Sequence, residues 1–438
     1  DLGDRLLVSS RSLLVRLAGH HTIDTSRVKL LAPPHPGFAP ARGRFQYHAE
    51  NPLPYRVLVV DEVSMVDVAM MARLLLAVDA ERTLLILLGD RDQLPSVEAG
   101  AVLSDFLRLL APAERRSSGY SNRMLAFARE HLPAIAREDD SAVSASIKGS
   151  DARDPLLDRI AELHESFRSG DAILKAAAAI NAGQAAPGAG LPLLADVTET
   201  GWPEQGCFWQ SLAPDERDGM VQRWLQAHFG ADYRKLVRDF VRTQSDVTLR
   251  TIFARLNHAR ILCVTRRGRD GVNGINGFAS RWFRDTGRSG ELRPGLPLLI
   301  VRNDHRRQLY NGDVGVVLAS ATGELRAYFE RAGARFTSFP MTTLPAYEIA
   351  FALSVHKSQG SEYERVLLLL PDDPAHPLLS REVLYTGLTR AKRLAIVAGN
   401  PEGLACAVGR RIIRETGGIY QIEGRDRAAA GETESSRE

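Results

Sequence analysis

RVLVVDEVSMVD, residues 56–67, decides how the rest of the chain is read. Val57, Leu58, Val59 and Val60 run straight into two adjacent carboxylates, Asp61 and Glu62. A short, uninterrupted apolar run reads as a strand buried on both faces of a parallel sheet, because a half-wet sheet would show alternation. The acids then stand at the strand's carboxyl end, and in open α/β sheets ligands bind in the crevice beyond that edge. The bland alternative is an ordinary strand-to-loop exit, which the same residues can also make.

Working outward, Asp67 is placed to cap a helix carrying Val68, Met71, Leu74, Leu75 and Val78 on one face. A second buried strand over 83–88 ends in Gly89-Asp90, and the polar turn after it sets Gln93 beside the Asp61/Glu62 edge. Standing alone, Gln93 would be a solvated turn residue. Two neighbouring strands thus deliver an acid pair and an amide to one crevice, and the apolar run ending in Asp61-Glu62 has the pattern of a Walker B strand. In such a strand the first acid, Asp61, holds Mg²⁺ through oxygen, and the second, Glu62, orients or polarises the water that attacks a γ-phosphate. Nothing in the sequence reads GxxxxGK[ST], so the phosphate-cradling loop and its lysine are missing from these 438 residues.

That length exceeds one ordinary core and implies two to three domains. At 44% hydrophobic and 25% charged residues, the composition is that of a globular protein. A net charge of +3 diagnoses no partner, so a nucleic-acid track has to be local. The only lysines are Lys29, Lys148, Lys175, Lys235, Lys357 and Lys392, and a lysine inside a motif is correspondingly informative. Cys207, Cys263 and Cys406 lie far apart with no CxxC spacing, which argues against zinc and disulfides and fits a reducing cytoplasm. No apolar run approaches the roughly 20 residues of a membrane helix, and no signal peptide is recognisable. The chain opens on Asp1 rather than methionine, which leaves room for an upstream start.

Residues 1–32 have helix-like apolar spacing, 33–54 are rich in proline and read as a loop or hairpin, and 111–155 read as helix and linker. The stretch 163–183 places Arg168 before an alanine-rich helix ending at Gly183, a C′ residue. Arg168 can pair locally or reach a phosphate. Aromatics over 200–258 fall at helical intervals and read as core rather than as base-stacking platforms. Residues 260–265 form a buried strand followed by Arg266-Arg267-Gly268-Arg269. Short strands with turn signals follow between about 300 and 345 and suggest a small barrel-type β insertion. A strand at 350–354 leads into Val355-His356-Lys357-Ser358-Gln359-Gly360-Ser361-Glu362, small and polar around a rare lysine, a composition suited to phosphate contact. Strands at 366–370 and 394–398 bracket Leu384 to Lys392, which begins a helix, and the residues from 424 on read as a disordered tail.

In this order, Asp61-Glu62, GDRDQLPSVEAG (89–100), SFR (166–168), VHKSQGSE (355–362) and LYTGLTRAK (384–392) resemble motifs II to VI of superfamily 1 DNA helicases. YHAENPLPYRVLVVDEVSMVD and SVEAGAVL look most like the RecD-type family, the alpha subunits of exodeoxyribonuclease V, and the resemblance covers about 43–108 and 160–400. It implies an α/β fold of two RecA-like P-loop NTPase-type domains with parallel sheets. The first, 1–160, is incomplete; the second, 161–415, carries a small SH3-like insertion. It further implies ATP with Mg²⁺ between the domains, single-stranded DNA moved 5′-to-3′ out of a duplex, action in double-strand-break repair, and RecB- and RecC-type partner subunits.

Carried over residue by residue, Asp61 binds Mg²⁺, Glu62 activates water, and Gln93 senses the γ-phosphate. Arg168 and Arg390 stabilise charge on the transferred group, Gly360 and Glu362 meet the nucleotide, and Ser354, His356 and Lys357 meet the DNA backbone. The missing motif I departs from this pattern, so the polypeptide as given is expected to hydrolyse ATP poorly. A non-catalytic subunit with a helicase-like body is the alternative; an ATPase unrelated to DNA is disfavoured by VHKSQGSE.

Overall fold

Apolar runs become parallel strands in both halves of the chain. The computed structural model describes residues 47–96, 102–103, 163, 166, 168–194, 201–284, 292–331, 333 and 335–412. It divides into two compact units, 1–165 with 413–438, and 166–412. The helix expected over 1–32, the linker at 111–155, Val97 to Gly100 and the tail from 424 lie outside the described residues, as does most of the 33–54 loop.

In the first unit β1 (Val57–Val60) pairs in parallel with β2 (Leu84–Leu87), Val57 opposite Leu84 and Val60 opposite Leu87. Between them α1 (Val68–Leu76) starts at Asp67, whose Oδ1 accepts a hydrogen bond from the Met70 N–H at 2.7 Å. Leu53, Leu58, Val63, Met71, Leu74 and Ala77 form its core. Two expectations need correction. Only Leu58 of β1 is buried, Leu84 is exposed, and Val68 and Leu75 of the helix are exposed as well. On the helix, Met71, Leu74 and Ala77, three residues apart, make the buried stripe, and Val68 and Leu75 fall outside it.

The second unit opens with α2 (Asp171–Ala182), closed by Gly183 at φ 74° as the sequence suggests, and a two-residue ladder of β3 (Ala186–Pro187) and β4 (Gly190–Leu191). Then come β5 (Gly206–Ser211), α3 (Arg217–Phe229), α4 (Ala231–Thr243), α5 (Asp246–His258), β6 (Ala259–Cys263) and α6 (Val272–Trp282). After an antiparallel excursion the chain returns as β12 (Ala352–Ser354), β13 (Tyr363–Leu369), α7 (Arg381–Leu388), β14 (Ala391–Gly399) and α8 (Pro401–Gly409). The main sheet is wholly parallel in the order β12-β6-β13-β14-β5. The excursion comprises β7 (Pro297–Ile300), β8 (Val314–Ala319), β9 (Leu325–Arg331), β10 (Arg335–Pro340) and β11 (Tyr347–Ile349), antiparallel in the order β10-β9-β8-β7-β11.

Trp224, Phe229, Tyr233 and Phe240 are buried core residues, Phe229 edge-on to Tyr233 at 5.3 Å and to Phe351 at 5.2 Å. Two sequence readings shift here. Helical spacing hid β5, a strand that ends the main sheet beside β14, bridges Leu193 through Trp209 and buries alternate residues, Cys207 and Trp209. Leu384 lies inside α7 rather than at its start, because Ser380 caps the helix earlier, its Oγ accepting from the Val383 N–H at 3.3 Å.

Candidate functional site

In the first unit the acids sit where β1 leaves the sheet. The Glu62 N–H donates to Asp61 Oδ1 at 2.9 Å, and Glu62 itself is left-handed at φ 57° and ψ 40°. A non-glycine residue in that region is uncommon. The following turn is stitched to the loop after β2: the Val63 N–H donates to the Leu88 carbonyl at 2.9 Å and the Ser96 N–H to the Ser64 carbonyl at 2.9 Å. Both polar loops therefore share one edge. Gln93 is buried, its Nε2 donating to Asp90 Oδ2 at 3.1 Å, while its Oε1 has no hydrogen-bond partner among the described residues. Gly89 packs closely here, since a Cβ there would lie 2.8 Å from Leu103 Cδ2 and 3.4 Å from the Ser64 nitrogen. An oxygen-rich edge with one half-buried carboxylate, Asp61, is a donor set that fits Mg²⁺.

In the second unit, side chains from three distant segments meet at the amino ends of β13 and β14. Arg168 Nη2 lies 2.6 Å from Glu362 Oε1, and Lys392 Nζ lies 3.1 Å from Glu362 Oε2. Backbone contacts fix the approach: Ser169 Oγ donates to the Ala391 carbonyl at 2.8 Å and the Gly170 N–H to the Lys392 carbonyl at 3.0 Å. Beside them opens a cleft of about 620 Å³ lined by Asn257, His258, Ser361, Glu362, Glu364 and Lys392 among others. Arg168 is 47% exposed at its side chain. Arg390 is only 1% exposed, its Nε donating to the Thr386 carbonyl at 3.1 Å and its Nη1 to the Ser361 carbonyl at 3.4 Å. Of the two arginines singled out in the sequence, Arg168 is the one presented to solvent. Gly360 turns the chain toward this edge at φ 73°.

Ser354, His356 and Lys357 gather elsewhere, at the carboxyl end of β12. The Lys357 N–H donates to Ser354 Oγ at 3.3 Å, and His356 and Lys357 share a tight 3-10 turn, residues 356–358. Burial lowers the Lys357 ammonium below its ordinary pKa, with the nearby Arg266 acting in the same direction and Glu348 opposing both. Arg266 pairs with Glu348 directly. Two contributors were not assigned from the sequence. Asn276 is a buried clamp: its Nδ2 donates to the Ile349 and Ala352 carbonyls at 2.7 and 2.9 Å, and its Oδ1 accepts from the Ala352 N–H at 2.8 Å. It pins β12, and with it Ser354, yet nothing in its sequence neighbourhood announces it. Lys392, by contrast, was legible as one of few lysines.

Comparison with known proteins finds similar domains and chains. An AAA domain model matches residues 16–118, and a UvrD-like helicase C-terminal domain model matches 349–398, spanning β12 to β14. These matches mark an α/β chain related to helicases. More particularly, it is a relative of RecD subunits. It is 35% identical over 410 residues to the RecBCD enzyme subunit RecD of Mycolicibacterium smegmatis, covering 92% of this chain and 59% of that protein. With the RecD subunit of Haemophilus influenzae it shares 32% identity over 394 residues, 85% of this chain and 55% of that one. The chain thus spans little more than half the length of these relatives. A crystal structure of Pif1 helicase from Bacteroides with ADP-AlF3 and ssDNA aligns over 88% of this chain and 77% of its own at 16% identity, with a TM-score of 0.39. Among the described residues, no helix is long and apolar enough to cross a membrane.

Proposed function

We propose that the chain is the motor body of a RecD-type, ATP-dependent 5′-to-3′ DNA helicase subunit that works in the cytoplasm with RecB- and RecC-type partners in double-strand-break repair. The observation that carries this reading is the meeting of Arg168 and Lys392 on Glu362, from three separate motifs, beside a cleft that Glu362 and Lys392 line. In this reading Asp61 is the carboxylate that would hold Mg²⁺, which when bound neutralises phosphate charge. Glu62, fixed on a strained turn, orients the attacking water, and the buried Gln93 Oε1 takes up a donor when the site fills. Arg168 exchanges Glu362 for phosphate oxygens; Arg390 acts only after leaving its carbonyl partners. Gly360 and Glu362 meet the nucleotide, and Ser354, His356 and Lys357 hold the DNA backbone. Without a GxxxxGK[ST] loop, the 438 residues alone turn over ATP slowly.

The test is Mg·ATP turnover with and without single-stranded DNA, on the 438-residue chain and on a longer one that includes such a loop. The longer chain should show DNA-stimulated hydrolysis and the shorter one little. Equal turnover by both would remove the loop from the account, and none by the longer chain would favour a non-catalytic, DNA-binding subunit.

A further inference from the structure

One acid pairs with an arginine and faces a lysine across a small cleft at the carboxyl edge of the second unit's sheet. Glu348 stands on β11, the last strand of the antiparallel excursion, and pairs with Arg266 from the loop after β6. Lys357, on the turn after β12, lines the same small cleft, together with Ser354 and the apolar Leu299 and Ile349. That cleft measures about 20 Å³, room for one water and not for a phosphate. The backbone around it is fixed. The Asn273 N–H donates to the Arg266 carbonyl at 3.0 Å, and Asn276 joins the Ile349 carbonyl to Ala352. With β11 and β12 held in this way, the part that can move is the Glu348 side chain, 30% exposed at the open side.

We propose that Glu348 is an electrostatic latch: its carboxylate occupies the Arg266 and Lys357 cations in the empty protein, and a DNA phosphate binds there by displacing it. Resting on the DNA-track reading above, the latch adds Arg266 to that track and assigns the β excursion a share in DNA affinity. A guanidinium and an ammonium flanking a backbone turn suit a phosphodiester oxygen pair better than a base edge. The carboxylate supplies a competitor of the same charge and similar geometry. Binding then releases the acid to solvent, which lowers affinity without removing a contact. Glu348 is on this account a positioning residue, acting through the two cations.

The experiment is binding of the full chain to labelled oligothymidylate across a salt series, with thermal unfolding of each variant alongside. Glu348→Gln should tighten binding several-fold at low salt while the slope of log affinity on log salt stays as in the wild type, because the same phosphates are held in both. Glu348→Asp, which keeps the charge, should retain the wild-type affinity, and adding Arg266→Ala to Glu348→Gln should cancel the gain. Unchanged or weaker binding in a folded Glu348→Gln protein overturns the latch while wild-type binding keeps the DNA reading intact. If the wild-type chain binds no oligothymidylate, or Lys357→Ala binds as well as wild type, the DNA-track reading falls and takes the latch with it. Should Glu348→Gln fail to fold, Arg266→Ala decides: the latch requires weaker binding and a shallower slope, and a wild-type slope contradicts it.

Discussion

The two units place their candidate residues at opposite ends of parallel strands and hold them by different means. In the first, Asp61, Glu62 and Gln93 lie beyond the carboxyl ends of β1 and β2, on loops tied together by backbone hydrogen bonds. In the second, Arg168, Glu362 and Lys392 lie at the amino ends of β13 and β14, joined by side-chain ion pairs. Backbone-tied acids are preorganised and cannot easily change partner. Partly exposed ion pairs contribute little to stability, roughly 0–1 kcal/mol, and exchange partners readily. On the proposed function, the first unit would hold the fixed chemistry and the second the responsive charge.

The largest effect expected from that division lies in turnover. In a chain that includes a phosphate-binding loop, Glu62→Gln should lower hydrolysis by about 10²- to 10⁴-fold while nucleotide affinity changes little; full activity would break the contrast at its first-unit side. The next effect concerns stability of the second unit. Asn276→Ala leaves a buried N–H and two carbonyls without their side-chain partner and should cost about 3 kcal/mol. Every tryptophan, Trp202, Trp209, Trp224 and Trp282, lies in that unit, so denaturant unfolding followed by tryptophan fluorescence reads it directly.

A pH effect sharpens the same comparison. His228 packs edge-on to Trp224 at 4.5 Å, and burial, reinforced by Arg365, His258 and Arg255, pushes its pKa down to about 3. An unfolded histidine takes its proton near 6.5. Between those values the unfolded state holds the extra proton, so stability is complete above 6.5 and is lost as pH falls toward 3. Relative to His228→Phe, the wild type should lose about 2 kcal/mol between pH 7 and pH 5; parallel pH profiles would contradict it. Smallest is Asp67→Ala, which removes the α1 cap and should cost about 1 kcal/mol. It should speed hydrogen exchange in α1 and leave the tryptophan transition where it was.

How much of this was legible from residues alone follows the physics of each signal. Parallel strands with catalytic-type residues at their ends announce themselves: the existence of β1, β2, β6, β13 and β14, and the positions of Asp61, Glu62 and Gln93, follow from uninterrupted apolar runs, while the burial of β1 and β2 does not. The cap at Asp67 announces itself too, because a carboxylate before an apolar stripe has a local reason to be there. Strand β5 was obscured because its aromatics also satisfy a helical period, and exposure of Leu75 and Val68 depends on what covers a helix, not on its own spacing. The Asn276 clamp and the Arg266–Glu348 pair join residues more than 70 positions apart, and no local pattern encodes such contacts. Arg390 shows the same limit: its motif names the residue, while its burial against Thr386 and Ser361 comes from the packing of α7 on the sheet.

The proposed function requires that Glu62 and Arg168 both act in ATP hydrolysis. A double-mutant cycle on turnover, using Glu62→Gln and Arg168→Ala in a chain that carries a phosphate-binding loop, tests it most directly. Residues acting as one machine should give a double variant about as slow as the slower single variant. Losses that simply multiply, as they do for independent sites, would contradict the claim.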